Sequence, residues 1–185
     1  KYLFVEFMYP CWMKNPNKTL ESKIKYIEHH RSHLASAFFA SPFKESAILS
    51  IDGSGDFTTT MLAVGKGNKI KVINSINFPV SIGLLYTSFT QYLGFYNYWD
   101  EYKVMGLASY GRPIYIDLLK NIVLLNQDSG TFKLDLSYFR HHNQKIDYEW
   151  VDGSPRVGIL FSKKLLALLG ESRKCNEPIN QKHMD

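Results

Sequence analysis

Cysteine is scarce: the 185 residues contain two, Cys11 and Cys175, far apart in the chain. They make neither a metal-binding pair nor a disulfide framework, so a reducing, cytoplasmic setting is expected. Long hydrophobic runs are missing too. No apolar stretch approaches the ~18 to 20 residues of a membrane-spanning helix, and the opening Lys1-Tyr2-Leu3 lacks a signal-peptide pattern, so no membrane partner is expected. There is no internal repeat, no low-complexity tract and no Walker phosphate-loop sequence.

A block of one charge is also absent. The net charge of +5 and pI near 9.1 would suit a polyanion binder, but positions 1–102 carry ten Lys and Arg against eight acids, and positions 103–185 twelve against nine. The closest approach to a basic cluster is Lys66, Lys69 and Lys71 around an expected hairpin turn, which solvation explains equally well. Nucleic acid is therefore not an expected partner, and nothing local speaks to oligomeric state.

What remains is an ordinary globular composition, 45% hydrophobic and 15% aromatic, enough for one domain or a large piece of one. Residues 1–9 read as helix or strand, and Pro10 to Lys18 as a loop. A helical pattern starts at a Thr19 cap, runs through Ile24, Ile27, Leu34 and Phe38, and stops at Pro42. A buried strand Ala47 to Asp52 follows. Two more strands, Thr58 to Val64 and Ile70 to Ile76, flank the turn Gly65-Lys66-Gly67-Asn68, which predicts an antiparallel portion of sheet. Ser81 caps a helix whose stripe Ile82, Leu85, Tyr86, Phe89 and Leu93 predicts core and closes at Gly94. The aromatic run from Phe95 to Trp99 could stack a base or pack beneath the next short helix, which Asp100-Glu101 opens. Periodicity then predicts an amphipathic helix over Ile114 to Leu125, an edge strand over Thr131 to Leu136 and a surface segment Phe139-Arg140-His141-His142. A last helix is predicted from near Arg156 through Leu160, Phe161, Leu165, Leu168 and Leu169 to Gly170, followed by an unpaired polar tail. The fold class is α/β, a mixed sheet with flanking helices.

Chemistry concentrates in the first third. On a helix, His29 and His33 stand four residues apart on one face, within reach of a single ion, while His30 points elsewhere. The strand that follows delivers Asp52 to a glycine turn, Asp52-Gly53-Ser54-Gly55-Asp56. Together these make a two-nitrogen, one-carboxylate set of the kind that holds catalytic zinc or non-haem iron with positions left open. The plain alternative is an ordinary helix carrying surface histidines. Rival motifs fail on particular residues: a zinc protease needs glutamate where His30 stands, a calcium loop needs an acid where Ala63 stands, and a dinucleotide fingerprint needs glycine where Thr58 stands. Backbone amides of Gly53, Ser54 and Gly55, with Thr58 nearby, could instead cradle a phosphate, or form a plain turn.

The run His29-His30-Arg31-Ser32-His33-Leu34-Ala35-Ser36-Ala37, the Asp52 to Asp56 turn, and Glu101-Tyr102-Lys103-Val104-Met105-Gly106-Leu107-Ala108-Ser109-Tyr110-Gly111 resemble the carbamoyltransferases of nodulation-factor and antibiotic biosynthesis. Their transfer domain is similar to the tRNA threonylcarbamoyl transferase and has the actin and sugar-kinase (ribonuclease H-like) type of fold. The resemblance implies that carbamoyl phosphate and ATP yield carbamoyl adenylate in a second module, and that the domain seen here passes the carbamoyl group to a hydroxyl of a small-molecule acceptor. It further implies Fe²⁺ or Zn²⁺ on His29, His33 and Asp52, with a fourth ligand, an aspartate, from beyond this sequence. Glu101 would hold the ribose hydroxyls of the nucleotide, with Lys103 a weaker charge contact; the alternative is a capping acid and a snorkelling lysine. The catalytic base has no signature. A start at Lys1 and an end at Asp185 without a helix stop read as a piece of that N-terminal domain, lacking its first phosphate loop and the adenylate-forming module. An actin-fold kinase or ATPase without a histidine metal site, and a non-catalytic binding fragment, stay open.

Overall fold

The computed structural model describes residues 25–151 and 153–185. Helix α1 (His29–Phe39) covers a three-stranded antiparallel meander of β1 (Glu45–Gly55), β2 (Thr58–Lys66) and β3 (Lys69–Asn77). The strands follow one another directly because the β2–β3 turn is tight: Gly67, at φ 58°, takes the positive angle a two-residue turn between paired Lys66 and Lys69 requires. The side-chain period of two then sorts β1 into faces. Ile48 and Ser50 are buried on the α1 side, whereas Leu49 and Ile51 are 59% and 48% exposed on the other. β1 is thus buried on one face, not on both as its apolar run predicts. α1 sets Leu34 and Phe38 against Ile48, Met61 and Ala63 in one apolar cluster, with His30 on the same buried stripe.

α1 starts later than its sequence pattern implies. Residues 25–28 are not helical, and the Glu28 carboxylate caps the N–H groups of His30 and Arg31. The Asp56 carboxylate accepts from the N–H of His29 at 3.3 Å. With two acids fixing the start there, the histidines sit in the first turns rather than mid-helix. Thr19, predicted as the cap, lies outside the described residues, as do the segments predicted over residues 1–18.

Helix α2 (Ile82–Tyr92) is capped by Ser81, closes at Gly94 with φ 82°, and packs on β1. Its predicted stripe is only partly buried. Ile82, Leu85, Phe89 and Leu93 pack against a second cluster built on Ile122, Tyr138, Phe139 and Leu165, and Tyr86 is exposed. The deepest groups on α2 are polar: Ser88 and Thr90 return their hydroxyls to the helix backbone. Gln91 donates to the carbonyls of Val157 and Gly158 and accepts the N–H of Leu160.

The remaining elements are α3 (Glu101–Ala108), α4 (Ile116–Leu119), the hairpin β4 (Val123–Asn126) with β5 (Thr131–Leu134), the hairpin β6 (Tyr148–Val151) with β7 (Ser154–Val157), α5 (Lys163–Leu169) and α6 (Gln181–Met184). The helix predicted over Ile114 to Leu125 is therefore one turn followed by a strand, because Thr131–Leu134 offers Val123–Asn126 a hairpin partner and Ile122 goes fully into the core. The last helix begins only at Lys163, after the Ser162 cap. Arg156 lies in β7, and Leu160 and Phe161 are extended, with Phe161 bridging Phe139. Phe139 is buried rather than at the surface, and His141 is half-buried with its Nε2 on the carbonyl of Pro79; burial pushes its imidazole pKa down. The tail is not unpaired either, since Arg173 is buried with its guanidinium on backbone carbonyls of Leu93, Cys175 and Glu177. The architecture is mixed α/β, with small sheets and flanking helices. Every ladder among the described residues is antiparallel, because each links neighbouring strands through a short turn. No described helix is long and apolar enough to cross a membrane.

Candidate functional site

The site forms where the start of α1 meets the far end of β1. Asp52 shares the face of Ile48 and Ser50, so it points to the side that α1 covers. Its backbone lies in a bulge: Ile51 pairs with Thr60 and Gly55 with Thr58, leaving residues 52–54 outside the regular ladder. The tight turn comes after it, at Asp56, whose φ is 55°. Asp52 is therefore set by a bulge, not by the turn predicted to follow it directly. On α1, His30 takes the buried stripe with Leu34 and Phe38, which rotates His29 and His33 onto the neighbouring, half-exposed stripe above Asp52.

Three atoms converge. His29 Nε2 lies 2.9 Å from Asp52 Oδ2 and 2.9 Å from His33 Nε2, and His33 Nε2 lies 3.4 Å from Asp52 Oδ2. A ring nitrogen carries at most one hydrogen, so His29 Nε2 cannot both donate to Asp52 and satisfy a donor or acceptor at His33 in neutral imidazoles. A cation at the centre removes that conflict, since all three atoms then act as lone-pair donors. The spacing suits one ion: ligands bound at ~2.1 Å stand about 3.0 to 3.4 Å apart in octahedral or tetrahedral geometry. The donor set, two imidazoles and one carboxylate within 4.8 Å of one another, thus fits a borderline divalent metal with open positions. Partial burial pushes the Asp52 pKa up, but the hydrogen bonds from His29 and Gly53 and the two imidazoles outweigh it, and it rests below the ordinary value. The group is a carboxylate ready to ligate.

Supporting residues hold this set from beneath. His30, fully buried, places Nδ1 2.8 Å from Ser50 Oγ and Nε2 2.9 Å from the Thr58 carbonyl. The carbonyl can only accept, so Nε2 carries the hydrogen and Nδ1 accepts from Ser50. Ser81 donates to the Gly53 carbonyl at 2.6 Å while accepting the N–H of Leu84, tying the bulge to α2. Gly83 lies so close to the Gly53 backbone that a side chain would not fit between them. Asp56, His30, Ser81 and Gly83 carry no site signature of their own in the sequence; a glycine in the first turn of a helix is the one available signal for Gly83.

The residues expected at phosphate and nucleotide divide. Gly53 commits its N–H to Asp52 Oδ1 at 2.7 Å, and Gly55 is glycine because the His29 ring lies against it. Ser54 is exposed beside them, and Thr58 gives its carbonyl to His30 and its hydroxyl to Asn77. Glu101 accepts from Thr87 Oγ1 at 2.8 Å, one turn along α2 from Gly83, so it joins the Asp52 bulge through that helix. Lys103 turns instead to Asp100, 2.7 Å away, and lines a separate cavity of about 500 Å³ with Tyr96, Asp147 and Arg156.

Known proteins match this chain in sequence. A family model described as Carbamoyltransferase N-terminus matches residues 6–150. The chain belongs to the carbamoyltransferase family. It is 46% identical over 116 residues to the nodulation protein NolNO of Sinorhizobium fredii, covering 62% of this chain and 17% of that one. It is 42% identical over 111 residues to the nodulation protein NolO of Bradyrhizobium diazoefficiens, covering 60% and 20%. An uncharacterised Synechocystis protein, sll1178, is 43% identical over 162 residues, covering 86% and 24%. This carbamoyltransferase chain thus spans about a quarter or less of the length of the relatives it matches.

Proposed function

We propose that this chain is part of the transfer domain of a carbamoyltransferase that passes a carbamoyl group from carbamoyl adenylate to a hydroxyl of a small-molecule acceptor. The adenylate would come from carbamoyl phosphate and ATP in a module outside these residues, in the cytoplasmic setting expected for an ATP-using enzyme. An actin-type fold is the wider architecture this reading assumes. Its support is the antiparallel meander with a glycine-bearing bulge at its end and a helix packed back on its first strand.

The observation that carries the reading is the convergence of His29, His33 and Asp52. These residues would hold Fe²⁺ or Zn²⁺ through two Nε2 atoms and one Oδ2. Bound there, the ion would supply positive charge to neutralise an adenylate phosphate and polarise a carbonyl. The chain's own residues do the rest. Glu28 and Asp56 fix the helix start that aims both imidazoles, His30 locks that helix to the sheet, and Ser81 holds the bulge carrying Asp52. Exposed Ser54 and the open space at Gly53 leave room for a phosphate beside the site, and Glu101, which accepts from Thr87 across α2, would take the ribose hydroxyls. Lys103, paired with Asp100, contributes charge at the cavity beyond. In the transfer, the acceptor oxygen bonds to the carbamoyl carbon, the carbon–oxygen bond to phosphate breaks, and AMP leaves as the hydroxyl proton passes to a base.

The test is to incubate the full-length protein with ATP, carbamoyl phosphate and candidate alcohols, following AMP and carbamoylated product by mass spectrometry. Acceptor-dependent AMP release, with iron or zinc retained by the wild type and lost in His29→Ala, is expected. Stoichiometric metal absent from the wild type, with His29→Ala fully active, would sink the metal assignment.

A further inference from the structure

A second concave surface lies in the C-terminal half, in a cleft of about 800 Å³ between the 139–144 segment and the start of α5. Its floor is apolar, with Phe139 and Phe161. Its walls carry Arg140, His142, Lys163 and Lys164, and no Asp or Glu lines it. Lys164 is already neutralised by Asp135 at 2.8 Å and lies over the Tyr138 ring. Arg140 and Lys163 are different: neither makes a salt bridge among the described residues. Arg140 is also aimed. Its Nε donates to Gln144 Oε1 at 2.6 Å, which fixes the guanidinium plane and leaves both terminal nitrogens without a protein acceptor among those residues.

We propose that this cleft binds a small phosphate dianion, gripped by Arg140 and Lys163. A half-buried guanidinium held in one plane matches two oxygens of a tetrahedral anion, and a flexible ammonium supplies a third contact as a point charge. Arg140 and Lys163 line the same cleft, and no carboxylate among its lining residues offsets their charge. An anion in the cleft is attracted to both. The space over Phe139 and Phe161 exceeds what phosphate alone fills, so a phosphate monoester with a compact organic part fits the same contacts. This site shares no residue with the metal centre, and the inference stands whether or not that centre carries carbamoyl transfer.

Calorimetric titration of the full-length protein at fixed ionic strength, with inorganic phosphate in one arm and glycerol phosphate in the other, tests it. Saturable binding of at least one probe is expected, weakened roughly ten-fold or more by Arg140→Gln and by Lys163→Gln, and kept in His29→Ala. Preference for glycerol phosphate would mark the ester as ligand, and equal binding the free anion. Lys163 is exposed, so its variant tests the site even if Arg140→Gln folds poorly. No saturable binding by millimolar probe, or binding untouched by Lys163→Gln, overturns the proposal. So does binding lost in His29→Ala, which would assign the anion to the metal centre, and so does equal affinity for heparin, which would mark a general polyanion surface.

Discussion

The imidazole of His29 fills the space that a side chain at Gly55 would occupy. One residue at the end of β1 therefore decides whether the first histidine of α1 can lie over Asp52. Gly55→Ala should push the ring aside and weaken Fe²⁺ or Zn²⁺ binding by roughly 10- to 100-fold, the usual cost of disturbing a ligand's support, while circular dichroism stays near wild type. At Gly53 nothing lies within 4 Å of an added Cβ, and Gly53→Ala should leave metal affinity unchanged. Metal titrations of both variants check this, and equal affinities in the two would contradict the contact.

His30 is a structural histidine. Replacing it with alanine strands the Ser50 hydroxyl and the Thr58 carbonyl in a buried place and opens a cavity beneath α1. His30→Ala should cost about 2 to 4 kcal/mol in urea unfolding, with Ser50→Ala costing about 1 kcal/mol. A smaller loss for His30→Ala than for Ser50→Ala would show that the ring does not carry both bonds.

Acid should loosen one staple in a defined window. The Lys164 ammonium and the Ser137 hydroxyl hold the Asp135 carboxyl down to about 2, against an ordinary 3.8. A depressed carboxylate stabilises fully above its unfolded value and loses that contribution as pH falls through its folded value. The stability difference between wild type and Lys164→Met should therefore be largest well above 3.8, shrink as pH falls from about 3.8 toward 2, and level off below at what the Lys164 contacts with Ser137 and the Tyr138 ring contribute. Melting temperatures of both proteins across that range decide it, and a difference that persists unchanged at the acid end would exclude the Asp135 pairing as its source.

Arg173 carries a buried charge that meets carbonyl oxygens instead of a carboxylate, and its guanidinium lies 5.2 Å from the centre of the Phe95 ring. Lysine cannot reproduce three directed bonds from one planar group. Arg173→Lys should cost about 2 to 3 kcal/mol, and Arg173→Met at least as much, because each leaves buried carbonyls unpaired. Denaturant midpoints within error of wild type for both would refute this account.

Some of this was legible in the chain and some was not, for physical reasons tied to particular residues. The His29, His33 and Asp52 set was readable because its spacing is local: four residues on a helix, then a strand whose end lies two alternations past Ile48. The hairpins at Gly67 and the cap at Ser81 were readable for the same reason, since turn and cap chemistry sits within a few residues. Ile122 to Leu125 is ambiguous in sequence because four apolar residues suit a helix or a strand alike, and the partner that decides, Thr131–Leu134, lies outside the window. Leu160 and Phe161 fit a helix by period alone, but Gln91, about 70 positions earlier, takes the N–H of Leu160 and Phe139 pairs with Phe161 in an extended bridge.

Sequence alone determined the α/β character, the antiparallel start and the three side chains of the candidate metal centre, because each follows from backbone periodicity over a few residues. Tertiary structure alone decided that His30 is a buried brace, that Gly55 and Gly83 are spaces kept for His29 and Gly53, and that Arg140 and Lys163 face a cleft without acids. Those roles depend on which distant atoms arrive next to a residue, and contacts between residues far apart in the chain leave no periodic trace in it.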